Sequence, residues 1–273
     1  MRQKKSYTRR DMLKAMGFGA AAAIVPAGIA DLSSNHLVLE HRELRLPRWD
    51  ADGFKVAVVS DIHANKPAMA ERAAEAIEMA LAEKPDVLVM PGDFVNYSDN
   101  ESLELLDEAL SPLADAKCPV ISTMGNHDYW AARPQRIIKL VAERSRLLRN
   151  EIYELDGVTI AGIDDAIANK HDMDFLSKGR HSKSLLALFH EPDFVKDVPG
   201  HISLQVSGHS HGGQICLPTG VAVHTPYGAK KYIAGFYPEA KVPLYVTRGV
   251  GTTGTDWRLF CLPEVSILTL RQA

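Results

Sequence analysis

Metal-ligand residues fall in five short islands along this chain: Asp61-Ile62-His63, Gly92-Asp93, Gly125-Asn126-His127-Asp128, His190 and Gly208-His209-Ser210-His211. Aspartate, asparagine and histidine together offer hard oxygen and borderline nitrogen donors. That mixture suits two divalent transition ions better than calcium or a Cys-type structural zinc. A two-metal hydrolytic site needs one carboxylate that bridges both ions, terminal ligands on each, and an open position for water. Asp93, after an apolar run and a glycine, is the best candidate for the bridge. Asp61 and His63 are two residues apart, as are His209 and His211, so in an extended strand end each pair faces one side. Asn126 adds a neutral carbonyl oxygen and His190 a nitrogen. Two cations roughly 3.5–4 Å apart would acidify a bridging water and clamp a phosphoryl group. His127 is left over; turned toward a substrate it would stabilise charge or protonate the leaving oxygen, with Asp128 fixing its tautomer.

Strands are needed to bring these islands together. Phe54–Val59, Val87–Met90 and Val120–Thr123 are short apolar runs that read as buried strands, each followed by an island. Helical patterns over Pro67–Glu83, Ser102–Leu110 (Ser102 as N-cap) and Gln135–Leu148 alternate with them. This β-α-β-α order predicts an α/β domain with a partly parallel sheet. The second half is richer in strands: Val158–Ile163, Leu185–Phe189, Ile202–Val206, Val221–His224, Leu244–Thr247 and Val265–Leu270, preceded at the start of the chain by an entry strand within Asp31–Asp52. The polar segment Asp164–Lys183 carries one short helix near Asp172–Ser177.

The five islands together resemble the signature of the calcineurin-like metallophosphoesterases. Leu148-Arg149-Asn150-Glu151, Gly208-His209-Ser210-His211-Gly212-Gly213-Gln214, Tyr245-Val246-Thr247-Arg248-Gly249 and Pro263-Glu264-Val265 are similar to the bacterial branch with exported cell-wall phosphoesterases and UDP-2,3-diacylglucosamine hydrolase-like enzymes. The resemblance implies a four-layer α-β-β-α sandwich of two mixed sheets, with the metals at strand ends. It implies one ion on Asp61, His63, Asp93 and His211, a second on Asp93, Asn126, His190 and His209, and His127 as the catalytic histidine. The implied activity is hydrolysis of a phosphodiester or phosphomonoester by direct attack of metal-bound hydroxide. Two divalent ions are the expected cofactors, manganese foremost, with zinc, iron and nickel as alternatives. A nucleotide-sugar pyrophosphatase shares the metal core. A non-catalytic interaction module on the same fold is the alternative of another class, against which His127 and the full ligand set count. Arg248 is the candidate substrate contact, since it follows a strand and precedes a glycine-rich loop. Phe236, Tyr237 and Trp257 are candidates for an acyl or sugar pocket.

The chain has 273 residues, 46% of them hydrophobic, enough for a single domain over 31–273. A net charge of -3 gives no basic surface for nucleic acid. Cys118, Cys216 and Cys261 contain no CxxC pair. They read as core residues, with a Cys118–Cys261 or Cys216–Cys261 disulfide an option on export. Residues 1–30 have the anatomy of a signal peptide: a basic start, a Gly/Ala-rich apolar stretch and a small-residue end at Gly28-Ile29-Ala30. Arg9-Arg10-Asp11-Met12-Leu13-Lys14 resembles a twin-arginine signal. The expected partners are the twin-arginine export machinery and a phosphorylated small molecule or envelope lipid, with the protein in the periplasm or cell envelope.

Overall fold

The computed structural model describes residues 36–96, 100–177 and 181–273; the signal-like segment lies outside them. Among these residues twelve strands form two six-stranded mixed sheets. The first contains β1 (Val38–Leu46), β2 (Phe54–Val58), β3 (Val87–Pro91), β4 (Val120–Thr123), β5 (Arg146–Leu147) and, returning at the end of the chain, β12 (Glu264–Gln272). Its order is β1-β12-β2-β3-β4-β5. The second contains β6 (Glu151–Leu155), β7 (Val158–Gly162), β8 (Ser184–Leu188), β9 (Leu204–Ser207), β10 (Gly235–Tyr237) and β11 (Leu244–Val246), ordered β10-β11-β9-β8-β7-β6. Each sheet has a run of neighbouring parallel strands: β2 to β5 in one, β7, β8, β9 and β11 in the other.

The period-2 alternation of strands builds the layers. Val56, Val58, Val87 and Val89 face Ile160, Leu186, Leu188 and Val206 across the space between the sheets. The intervening Ala57, Leu88 and Met90 turn outward onto helices α1 (Pro67–Ala82), α2 (Asn100–Ala109) and α4 (Pro134–Arg144). On the far side Ala161, Leu185, Ala187 and Val246 pack against Val195 and Val198, in and beside a 3-10 turn at Pro192–Lys196. The α/β fold of two mixed sheets is therefore as expected. The outermost layer over the second sheet is made of 3-10 turns and loops among the described residues.

Several boundaries differ from the sequence reading. Helix α2 starts at Asn100, which places Ser102 inside the helix rather than at its cap. Helix α4 stops at Arg144 because Ser145 is extended, its hydroxyl bonded to the Val141 carbonyl (2.9 Å), and the chain then pairs with β4 as β5. Val221–His224 alternates like a strand but makes only a single bridge, Ala222 to Cys216. The short helix near Asp172 is a 3-10 turn at Asp174–Ser177.

Candidate metal centre

Every candidate ligand follows the carboxyl end of a parallel strand: Asp61 and His63 after β2, Asp93 after β3, Asn126 after β4, His190 after β8, His209 and His211 after β9. The two sheets present these ends at one edge, where loops are free of ladder constraints. The backbone reaches that geometry differently from the extended strand ends expected. Asp61, His63, Asp93, His209 and His211 all have positive φ, between 49° and 67°. The left-handed residues double the loops back, and that turn, not a pleat, aims each pair inward. Such conformations cost energy at non-glycine residues and persist when the surroundings impose them. Here Asp61 and His63 each donate a backbone N–H to the β3 loop, at the Gly92 and Asp93 carbonyls (3.1 Å each). Gly92 (φ 93°) serves a close approach: a Cβ there would lie 2.5 Å from the Gly125 nitrogen.

The side chains converge in two groups that share one residue. Ligand atoms of Asp61, His63, Asp93 and His211 lie within 4.8 Å of one another, as do those of Asp93, His190 and His209. His63 Nε2 is 3.0 Å from His211 Nε2 and 3.5 Å from Asp93 Oδ2. His190 Nε2 faces the same Asp93 oxygen at 3.2 Å, without the alignment of a hydrogen bond. The imidazoles are oriented from behind: His190 Nδ1 against the Pro91 carbonyl (2.6 Å) and His209 Nε2 against the Tyr227 carbonyl (2.7 Å). Such outer contacts fix which ring nitrogen points to the centre.

The electrostatics suit cations. Burial lowers the pKa of His63 to about 3. Burial, then His190, lowers that of His209 to about 4. Burial and His63 hold His211 well below its ordinary value. These three rings are neutral at pH 7, with lone pairs to give. Burial works against charge on Asp93, yet His190 and His63 keep it well below the usual carboxylate range, and Asp93 in turn holds His190 high. Burial, with Asp93 adding to it against His190, raises Asp61 to about 6. Asp61 Oδ2, His190 Nε2 and Asn126 Oδ1 are buried without a hydrogen-bond partner, a costly state for polar atoms. Unpartnered polar atoms, three neutral imidazoles and a central carboxylate together fit two divalent cations.

Residues 54–213, more than half of the chain, match the family described as Calcineurin-like phosphoesterase. The chain belongs to this family. It is 32% identical to an uncharacterized metallophosphoesterase, YkuE, of Bacillus subtilis, over 98% of this chain and 99% of that one. It is 28% identical to the phosphodiesterase YaeI of Escherichia coli, over 85% and 87% of the two chains. Among solved structures, a dimetal phosphatase of Danio rerio superposes with a TM-score of 0.49 at 10% identity, over 80% of this chain and 93% of that one.

In this metallophosphoesterase a cavity of about 520 Å³ opens over the two groups; Asp93, Asn126, His127, His209 and His211 reach it. The half-buried His127 ring stands edge-on to His63, with centroids 4.9 Å apart. Asp128 is committed elsewhere. Its carboxylate accepts backbone N–H groups from Asp93 (3.1 Å), Phe94 (2.8 Å), Val95 (3.1 Å) and Gly125 (2.9 Å). The cause is local. Asn126–Trp130 forms a one-turn helix, α3, and Asp128 is its third residue, where an acidic side chain folds back on the N-cap N–H. The expected hold on the His127 tautomer is thus replaced by a hold on the β3 loop.

Arg248 is also placed otherwise than expected. Its guanidinium pairs with Glu264 (2.6 Å) and Glu40 (2.7 Å), tying the β11 loop to β12 and β1, and it does not line the cavity. Phe236 and Tyr237 pack against the two cores of the second sheet, and Trp257 is not on the cavity wall either. His224 is on the wall, but not in either ligand group. Cys216 and Cys261 both donate to the Gly212 carbonyl, whereas Cys118 packs on the helix side, which leaves Cys216–Cys261 as the neighbouring pair.

From the sequence Arg258, like Lys230, Lys231 and Arg248, is a candidate to neutralise a phosphate; the structure gives it another role, away from the cavity lining. Fully buried, it donates to the carbonyls of His211 (3.1 Å), Arg248 (2.8 Å), Gly249 (3.1 Å) and Gly251 (2.7 Å). It thereby cross-links the His211 loop to the loop after β11. Replacing Arg258 with Met would take the side-chain donor from the Arg248 and Gly251 carbonyls, while those of His211 and Gly249 keep the N–H groups of Gln214 and Glu264 (3.0 Å each). We expect a loss of roughly 3 kcal/mol, from buried acceptors at about 1–3 kcal/mol each partly offset by relaxation, read as a lower urea midpoint.

Proposed function

We propose that this metallophosphoesterase hydrolyses phosphodiesters with two divalent cations, one held by Asp61, His63, Asp93 and His211, the other by Asp93, Asn126, His190 and His209. The observation that carries this is the position of Asp93 in both groups of converging ligand atoms. When bound, two such cations supply Lewis acidity to phosphoryl oxygens and acidify a water between them. Oxygen and imidazole donors in this proportion accommodate manganese, our first choice, as well as zinc, iron or nickel. Asp93 Oδ1 accepts the His127 N–H (3.0 Å), which fixes the carboxylate's rotation and turns Oδ2 to His63 and His190. His127 lines the same cavity, and the role proposed for its imidazole is general acid to the leaving oxygen. A diester is favoured over a diphosphate because no Lys or Arg lines the cavity among the described residues. The phosphodiesterase named among the relatives agrees with that choice.

His127→Ala is expected to lower kcat by roughly 10²–10⁴-fold on an alkyl leaving group, the range for general acid catalysis. The loss on a p-nitrophenolate leaving group, which needs little protonation, should be much smaller. Equal losses on both would remove the acid role from His127.

We further propose export through the twin-arginine machinery to the periplasm or cell envelope, supported by Arg9-Arg10 and the Gly/Ala-rich stretch after them. Residues 1–30 fused to a reporter should direct its export, and replacing both arginines with lysine should stop it. Export of the lysine variant at the wild-type rate would reject this pathway.

A further inference from the structure

The cavity over the ligand groups has a one-sided chemistry. Its floor is Asp93, Asn126 and the histidines; its wall is Trp130, Ile167, Ile215, Val223, Pro226 and Tyr227. Three of these remain largely exposed: Trp130 at 60%, Val223 at 63% and Tyr227 at 71%. Leu217 (51%) and Val221 (59%) extend the apolar surface outward along the same loop. Contiguous exposed apolar groups beside a polar centre are uncommon unless something covers them.

The exposure is built into ordered backbone. Val223 N–H bonds to the Ile215 carbonyl (2.9 Å), Leu217 N–H to Val221 (2.8 Å) and Gly220 N–H to Leu217 (2.8 Å). This makes a tight hairpin-like loop, seated where a Cβ on Gly213 would collide with Ala222. On the opposite wall Ile167 is held in place by its N–H to Glu191 Oε1 (2.9 Å), beside His190. Apolar side chains on two fastened loops thus flank a floor suited to one phosphoryl group.

We propose that this wall binds the apolar arm of an amphiphilic phosphodiester, an alkyl or acyl chain that lies along Ile167, Ile215 and Val223 while the phosphoryl group sits over Asp93 and His127. This rests on the phosphodiesterase reading above. Four aliphatic wall residues, Ile167, Ile215, Val223 and Pro226, against two aromatic ones, Trp130 and Tyr227, favour a chain over a planar base, and the Leu217–Val221 tip lets a longer chain continue past the rim.

The test is a series of p-nitrophenyl alkyl phosphodiesters, methyl to hexyl, all below their micellar concentrations, turned over by the full chain with manganese. Charge and leaving group are constant, so only the arm varies. kcat/KM should rise roughly fourfold per methylene until the wall is filled. Val223→Ser and Ile215→Ser should lower the hexyl-to-methyl ratio by about tenfold, a ratio that a general loss of activity does not move. A flat series, or a ratio unchanged in both variants, overturns the proposal while leaving the phosphodiesterase reading intact. Faster turnover of p-nitrophenyl thymidine phosphate than of the hexyl ester also overturns it, in favour of a nucleoside arm. No turnover of any member with manganese, zinc, iron or nickel rejects the phosphodiesterase reading and this inference together.

Discussion

Asp93→Asn should cut kcat on an activated phosphodiester by about 10³-fold or more at saturating manganese. Asp93 is the residue common to both ligand groups, so its charge would serve both proposed cations at once. Polarisation by bound cations is worth several kcal/mol, and each 1.36 kcal/mol is tenfold in rate. The substitution is nearly isosteric. An asparagine oxygen still accepts the His127 N–H now held by Oδ1 (3.0 Å), and the backbone carbonyl still receives His63 N–H (3.1 Å). The metal-free variant should therefore melt close to the wild type. Elemental analysis should show manganese falling from two equivalents per chain toward one. Unchanged kcat with full metal content would remove Asp93 from the bridging position.

The parts of this architecture that were legible in the sequence are those whose cause is local. β2, β3 and β4 are short apolar runs because both faces are buried, between the sheets and under the helices. Their ends could be read because polar ligand residues break the runs abruptly. Three of the four edge strands, β5, β6 and β10, were not legible for the opposite reason. β6 (Glu-Ile-Tyr-Glu-Leu) is partly exposed, and β5 and β10 are two and three residues long, so neither burial nor length marks them. Val221–His224 misled because alternation reports an apolar face without saying what covers it; here that face borders the cavity.

Residue roles that depend on backbone partners were hidden more deeply. Arg258 serves carbonyls at His211, Arg248, Gly249 and Gly251, groups every residue carries and no side-chain pattern marks. Arg248 was read from its place after a strand, yet Glu40, more than two hundred residues earlier, decides its orientation once β1 lies beside β12. The left-handed backbone at five candidate ligands was equally invisible. It changes the reason why Asp61 and His63 converge, though not the fact of their convergence.

The largest stability effect should come from Asp128→Asn. The carboxylate is fully buried and acts only as an acceptor: Oδ2 receives the N–H groups of Asp93 and Gly125, Oδ1 those of Phe94 and Val95. An asparagine preserves one oxygen and turns an NH₂ group toward the other two donors. Two N–H groups then lose their acceptor and meet a third donor instead. At about 1–3 kcal/mol for each unsatisfied buried group, the expected cost is roughly 3–5 kcal/mol, a large part of a typical domain's stability. The damage falls on the β3 loop, so manganese affinity should drop with the melting temperature even though Asp128 is in neither ligand group. A role confined to the His127 tautomer predicts the reverse pattern: normal melting, normal metal content and a reduced kcat. Urea unfolding and manganese titration of this one variant separate the two, and an unchanged urea midpoint would return Asp128 to the tautomer role.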